Sequence, residues 1–244
     1  MSFRIAPPSL VVGFDTETTG LDTAEDEIIS YGFAVFRNGE YVAEESGQYF
    51  AYTERPIHPR AQEIHGLSAE EIRERSSAWG GPFAPHEGVA EARRRLAQIF
   101  AQGATVVGAF PKFDFDMIES MHLRYFAQPT GFHAKSRSGF QITGDKLVSH
   151  RVLSAVGSKI RHFISPQTFD VHPGISWPEI LDVCDFDRRH WPDPTRRRSL
   201  TALCEHYAVR PGNHDSLEDA RAAAEVWFAQ IERWNTHQSQ GIDL

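Results

Sequence analysis

The run Leu10–Phe14 contains no polar side chain and is short, so it reads as a fully buried strand, and it stops abruptly at Asp15-Thr16-Glu17. Residues two apart on an extended chain point to the same side of it. Asp15 and Glu17 therefore press two negative charges together at the end of an apolar strand. Something must offset that repulsion.

The stretch EIISYGFAVFRNGEYVAEESGQYFA supplies neighbours for this strand. Aromatic and β-branched residues flank Asn38-Gly39, the favoured dipeptide of a two-residue turn, which predicts a long hairpin and makes the first three strands an antiparallel meander. Ser68 and Glu71 have capping-box spacing, which starts a helix just after His65-Gly66-Leu67. A helix over Glu87–Gln102, a second buried strand at ATVVGAF and an amphipathic helix from about Phe113 to Phe126 then add parallel strands to the meander. A short strand is expected near Ile180–Val183, where Asp182, Asp185 and Asp187 read as a solvated loop compensated by Arg188 and Arg189. A helix begins after Ser199, and Leu217, Ala220, Ala224, Trp227, Phe228, Ile231 and Trp234 mark a final one.

The 244 residues and 41% apolar content suit one domain over 1–244. No run approaches the roughly 18 to 20 apolar residues of a membrane span, and MSFRIAPPSL lacks a signal peptide's apolar centre, so a soluble, cytoplasmic protein is expected. The formal charge of −8 argues against coating nucleic acid by bulk electrostatics. One segment differs. Over 127–177 periodicity fades, and Phe132–Ile164 holds six Lys or Arg against one acid, Asp145, which marks an atypical basic insertion or lid suited to guiding a polyanion. His133, His150, His162 and His172 lie there too widely spaced for a zinc site.

Asp114 just after the ATVVGAF strand and Asp219 in the first turns of the last helix join Asp15 and Glu17 if the two strands are neighbours and that helix crosses them. Asp219 taken alone also suits helix capping and the helix dipole. Four carboxylates in one place are tolerable only around cations, and oxygen-only ligands favour Mg²⁺ or Mn²⁺ over zinc. His214, five residues before Asp219, has an imidazole pKa suited to accepting a proton from an attacking water.

DTETTG with Asp15 and Glu17, FPKFDFD with Asp114, and HDSLEDA with His214 and Asp219 resemble the three motifs of DnaQ-like 3′→5′ exonucleases of the DEDDh type. The resemblance implies an α/β fold of the ribonuclease-H-like kind: a mixed five-stranded sheet, antiparallel meander plus parallel strands, with helices on both faces. It implies that Asp15, Glu17, Asp114 and Asp219 hold two Mg²⁺ ions, that Mn²⁺ can substitute, and that His214 is the general base. The expected reaction is release of nucleoside 5′-monophosphates from a single-stranded or frayed 3′ end of DNA or RNA, with a polymerase or a second copy of the chain as a partner of some relatives. Thr18, the His65-Gly66-Leu67 loop and Phe113 are expected near the terminal nucleotide. The chain departs from the family where Ala109-Phe110 replaces His-Asn ahead of the second-motif aspartate. Asp116, two residues past Asp114, offers a competing register; the aromatic immediately before Asp114 favours the latter. Two alternatives stand beside this reading: a haloacid-dehalogenase-like phosphatase with Asp15 as nucleophile, and a non-catalytic nucleic-acid-binding module.

Overall fold

A computed structural model describes residues 6–77, 84–126, 141–143, 146–148, 180–191, 193, 195 and 198–240. The strands are β1 (Leu10–Thr18), β2 (Ile28–Arg37), β3 (Glu40–Tyr41), β4 (Gly47–Phe50), β5 (Thr105–Gly108), β6 (Gln141–Thr143), β7 (Lys146–Val148) and β8 (Ile180–Asp182). The helices are α1 (Pro59–His65), α2 (Ala69–Ser77), α3 (Pro85–Ala101), α4 (Pro111–Phe126), α5 (Val183–His190), α6 (Leu200–Tyr207) and α7 (Ser216–Gln240). The main sheet runs β3-β2-β1-β5-β8, with β4 also paired to β2. β2, β3 and β4 are antiparallel to their neighbours, whereas β5 and β8 add in parallel. This is the mixed α/β sheet expected from the sequence, with β3 and β4 sharing one edge position.

The single third strand of the meander is divided. Asn38 and Gly39 both take positive φ (52° and 85°), the conformation of a two-residue hairpin turn. Beyond Tyr41, however, the chain leaves the ladder: the Val35 amide donates to the Ser46 hydroxyl, and that hydroxyl donates to the Val42 carbonyl. One side chain thus satisfies the backbone groups left open where pairing lapses.

Strand alternation sorts the core into two layers. Leu10, Val12 and Phe14 face α3 and α4 with Val106, Leu96 and Met117, while Val11 faces α7 with Ala34, Val107 and Trp227. Both faces of β1 are therefore covered, which explains its unbroken apolar run. The acids read as a solvated loop belong instead to a folded element. Asp182 caps α5 by accepting the amides of Cys184 and Asp185. Asp187 is fully buried, where it accepts from Arg198 Nε at 3.2 Å and from the Tyr207 hydroxyl at 2.7 Å. Its partners lie 11 and 20 residues away, so the adjacent Arg188 and Arg189, which pair with Asp185, were misleading neighbours.

Of the atypical 127–177 stretch, only the β6–β7 pairing is described. The basic side chains and the four spaced histidines lie outside the described residues. Among those described, no helix is long and apolar enough to cross a membrane.

Two glycines decide how α7 meets the sheet. A Cβ on Gly13 would collide with the carbonyl oxygen of Ala220 and come within 2.6 Å of its carbonyl carbon; one on Gly32 would collide with the Ser216–Leu217 peptide. The first turns of α7 thus lie directly against the backbones of β1 and β2, pinned by a 2.6 Å hydrogen bond between the Ser30 and Ser216 hydroxyls. Gly13→Ala is expected to cost about 3 kcal/mol or more in urea denaturation, because helix backbone cannot yield as a side-chain tip can. Gly103→Ala, at φ 74° with open space around it, should cost only about 1–2 kcal/mol. Equal losses would contradict the packing role.

Candidate active site

Beyond Phe14 the alternation of β1 continues, so Asp15 and Glu17 project on the α7 face and Thr16 on the α4 face. β5 accompanies β1 only as far as Gly13, opposite Val107, which leaves the end of β1 open on that side. Asp114, in the first turn of α4, reaches this opening and accepts a 2.6 Å hydrogen bond from Thr16 Oγ1. Asp116 instead pairs with Lys112 on the outside of the same helix. Asp219 arrives from the other face on the first turn of α7, where the close approach at Gly13 and Gly32 delivers it.

Asp15, Glu17, Asp114 and Asp219 are thereby brought together, and the electrostatics register it. Desolvation first, then the charges of Asp114, Glu17 and Asp219, hold the Asp15 carboxyl well above the ordinary carboxylate range. Burial and the charges of Asp219 and Asp114 push Glu17 up to about 8. Burial pushes Asp114 up to about 7 even though the Thr16 hydrogen bond pulls the other way. Asp219 is raised by burial too, against the opposing pull of His214 and of backbone amides at His214 and Gly212. No Lys or Arg stands among the principal charges acting on these four groups among the described residues.

His214 sits beside them with half its side chain exposed. Its Nδ1 is 3.9 Å from Asp219 Oδ2, and its backbone amide donates to the same oxygen at 3.1 Å. Glu17, His214 and Asp219 each present a ligand atom within 4.8 Å of one another. Asp215 caps α7, accepting the amides of Leu217 and Glu218, and takes a further 3.0 Å hydrogen bond from Gln48 Nε2.

The remaining expected residues line the same end of the sheet and satisfy most of their polar groups internally, while His65 Nε2 is buried without a hydrogen-bond partner among the described residues. Thr18 donates to the Gly20 carbonyl at 2.6 Å. The Gly66 amide closes α1 onto Gln62, the Leu67 amide donates to His65 Nδ1, and the Ser68 amide donates to Glu71. The Leu67 side chain is buried with Ile29, Phe50 and Ile72. Phe113 is partly buried against the α3–α4 core layer. Sequence reasoning missed Thr16 and Asp182, whose charge also raises Asp114; a hydroxyl flanked by two strand-end acids was the available signal for the first.

The family model RNase_T, described as exonuclease, matches residues 12–136, just over half of the chain. The chain belongs to this exonuclease family. Its exonuclease fold is similar to exonuclease I from Methylocaldum szegediense (TM-score 0.55, 18% identity), covering 95% of this chain and 42% of that one. Exonuclease I from E. coli in complex with a dT13 oligonucleotide is similar at a TM-score of 0.50 and 15% identity, covering 95% and 41%. Cell-death related nuclease 4 is similar at 0.52 and 10%, covering 95% and 66%. The chain thus spans about two-fifths of the length of the exonuclease I chains. Comparison with curated proteins found no match by sequence. The haloacid-dehalogenase reading is overturned by the family and by the antiparallel hairpin that follows β1.

Exonucleases of this family depend on a divalent metal, and the donor set fits one: hard carboxylate oxygens, desolvated and mutually repelling. The metal-free protein gives a sign-definite test. Glu17 and Asp114 hold protons in the folded chain at pH values where the unfolded chain has released them, so their contribution is intact below the unfolded carboxylate pKa and is lost as pH rises through about 7 and 8. His122 and His190 are shifted down to about 4 by burial, so they stay neutral in both states above about pH 7. Glu119, pushed up to about 7 by burial, adds to the same fall, and the Glu17 variant separates the share of the site. The Tm of EDTA-treated protein should fall from about pH 7 to about 8.5, Mg²⁺ should restore most at the upper end, and Glu17→Gln should flatten the fall. A metal-free Tm that rises across this window would refute the assignment.

Proposed function

We propose that this exonuclease hydrolyses the 3′-terminal phosphodiester of DNA or RNA, releasing nucleoside 5′-monophosphates. In this reading Asp15, Glu17, Asp114 and Asp219 hold two Mg²⁺ ions and His214 is the general base. The observation that carries it is the convergence of four desolvated carboxylates at one sheet edge, faced from the solvent side by the His214 imidazole. Divalent ions bound there would neutralise the cluster, polarise the phosphodiester and stabilise both the attacking and the leaving oxygen.

The chain's own groups supply orientation and proton transfer. Thr16 fixes the Asp114 carboxylate, and the His214 and Gly212 amides fix that of Asp219, so two ligands from different helices keep one geometry. His214 accepts a proton from the attacking water and, being half exposed, passes it to solvent. The water oxygen bonds to phosphorus, the bond to the preceding 3′-oxygen breaks, and that oxygen takes up a proton. In this reading Thr18, His65, Gly66, Leu67 and Phe113 form the wall that meets the terminal nucleotide, with the unpartnered His65 Nε2 as its free polar atom among the described residues. The dT13 oligonucleotide in complex with a structural neighbour supports a single-stranded or frayed 3′ end as substrate here.

The test is digestion of 3′-labelled and 5′-labelled DNA and RNA strands with Mg²⁺ or EDTA. Wild type should release the 3′ label at once as mononucleotide and shorten the 5′-labelled strand stepwise, with EDTA and Asp15→Asn each stopping both. His214→Ala should lower kcat by about 10²–10⁴-fold. Early release of the 5′ label would reverse the polarity, and tight binding without cleavage would favour the non-catalytic module.

A further inference from the structure

Phe110 occupies the position before α4 where this chain departs from the family's His-Asn pair, and it breaks two local rules there. Its φ is 59°, in the left-handed region where a bulky residue is an outlier, and it immediately precedes Pro111, a position biased toward extended backbone. A strained aromatic is ordinarily held by packing. Here the side chain is 48% exposed, belongs to neither core layer and, among the described residues, pairs with no other ring. What holds the backbone is polar: the Phe110 amide donates to Asp182 Oδ1 at 3.4 Å, and its carbonyl accepts the Phe113 amide at 2.9 Å.

The residue stands at the carboxyl end of β5, the parallel neighbour of β1, and so at the sheet edge that carries Asp15 and Glu17. Asp114 lies one helical turn beyond it and Asp182 accepts from its own amide. Flanked by two acids, this spot disfavours a phosphate, while an uncharged planar ring can lie on an exposed aromatic face. Phe115 is buried in the core layer of α3 and α4 and Phe113 is partly buried against it, which leaves Phe110 as the most exposed aromatic of this motif.

On the reading of the site as one that acts on a nucleic-acid 3′ end, we propose that Phe110 is a substrate-positioning residue whose ring stacks on a nucleobase at or next to that end. Its backbone strain is the cost of presenting the ring. Single-stranded binding sites draw base-independent affinity from such stacking.

The test compares wild type, Phe110→Asn and Phe110→Trp on intact single strands and on strands with one abasic residue at the 3′-terminal or penultimate position. Wild type should lose about 10-fold in kcat/KM, through KM, at one of the two abasic positions. Phe110→Asn should show the higher KM on intact strands already, with kcat within about 3-fold and no further abasic loss, while Phe110→Trp should behave as wild type. Asparagine adopts left-handed backbone readily and can cap α4, so the Asn variant should also gain about 2–4 °C in Tm. Wild-type KM and abasic discrimination in the Asn variant would overturn the assignment, as would a loss confined to kcat, which would make Phe110 a support for Asp114. A wild type that degrades none of these strands would overturn the 3′-end reading and this assignment together; an active wild type with an indifferent Asn variant overturns the assignment alone.

Discussion

Helix α7 reaches the β1–β2 edge only because Gly13 and Gly32 offer no side chain where its first turns cross. That close approach sets the position of Asp219 relative to Asp15 and Glu17, and therefore the dimensions of the site. It also has an energetic consequence. Backbone-to-backbone contact at the head of α7 allows the rest of the helix to lie flat, so that Ala220, Ala223, Ala224, Trp227 and Ile231 seal one face of the sheet. A residue in the core and a residue in the site are thus fixed by the same contact, and neither can be displaced without the other.

The charge cluster works against folding and must be supported by that core. Carboxylates forced together and desolvated bind protons or cations in place of bulk water. In this chain the opposing forces are distributed across the sheet: Phe14 stacks on Phe33 and contacts Phe115 immediately beneath Asp15, and α4 is locked at its far end by Arg124, which donates to the Thr23 and Asp26 carbonyls. Glu27, buried at the start of β2, accepts from Thr53 and Tyr125 and pairs with Arg55, tying the loop after β1 to the end of α4. The site is therefore held by apolar packing below and by a separate, satisfied polar node at its flank.

Much of this was legible in the sequence because its causes are local. The apolar run before Asp15, the Asn38-Gly39 turn and the Ser68–Glu71 capping box each lie within a few residues of what they produce, and the spacing from His214 to Asp219 places both at the start of one helix. What was not legible depends on distant partners. Asp187 is buried because Arg198 and Tyr207 return to it, Thr16 earns its place from Asp114 98 residues later, and α1 is a single short helix of seven residues with none of them buried, so it leaves no apolar period to detect. Gly13 lay in plain view inside an apolar strand, where glycine signals a close backbone approach; which element approaches cannot be read from the strand itself.

Strain gathers where the chemistry is. Among the described residues, five other than glycine have positive φ: Asn38 serves the hairpin turn and Ala208 ends α6, while Phe110, Asn213 and His214 flank the carboxylates. Two consecutive left-handed residues at Asn213 and His214 turn the chain so that the His214 amide and ring both face Asp219, an arrangement that a relaxed helix entry would not produce. Such backbone persists only when its surroundings over-determine it. Here the determinants are the Asp215 cap and the glycine-mediated seating of α7 on one side, and the Asp182 hydrogen bond to Phe110 on the other. The stability invested in the two core layers is thus spent locally, at the sheet edge, on a backbone and a charge distribution that neither helix would adopt alone.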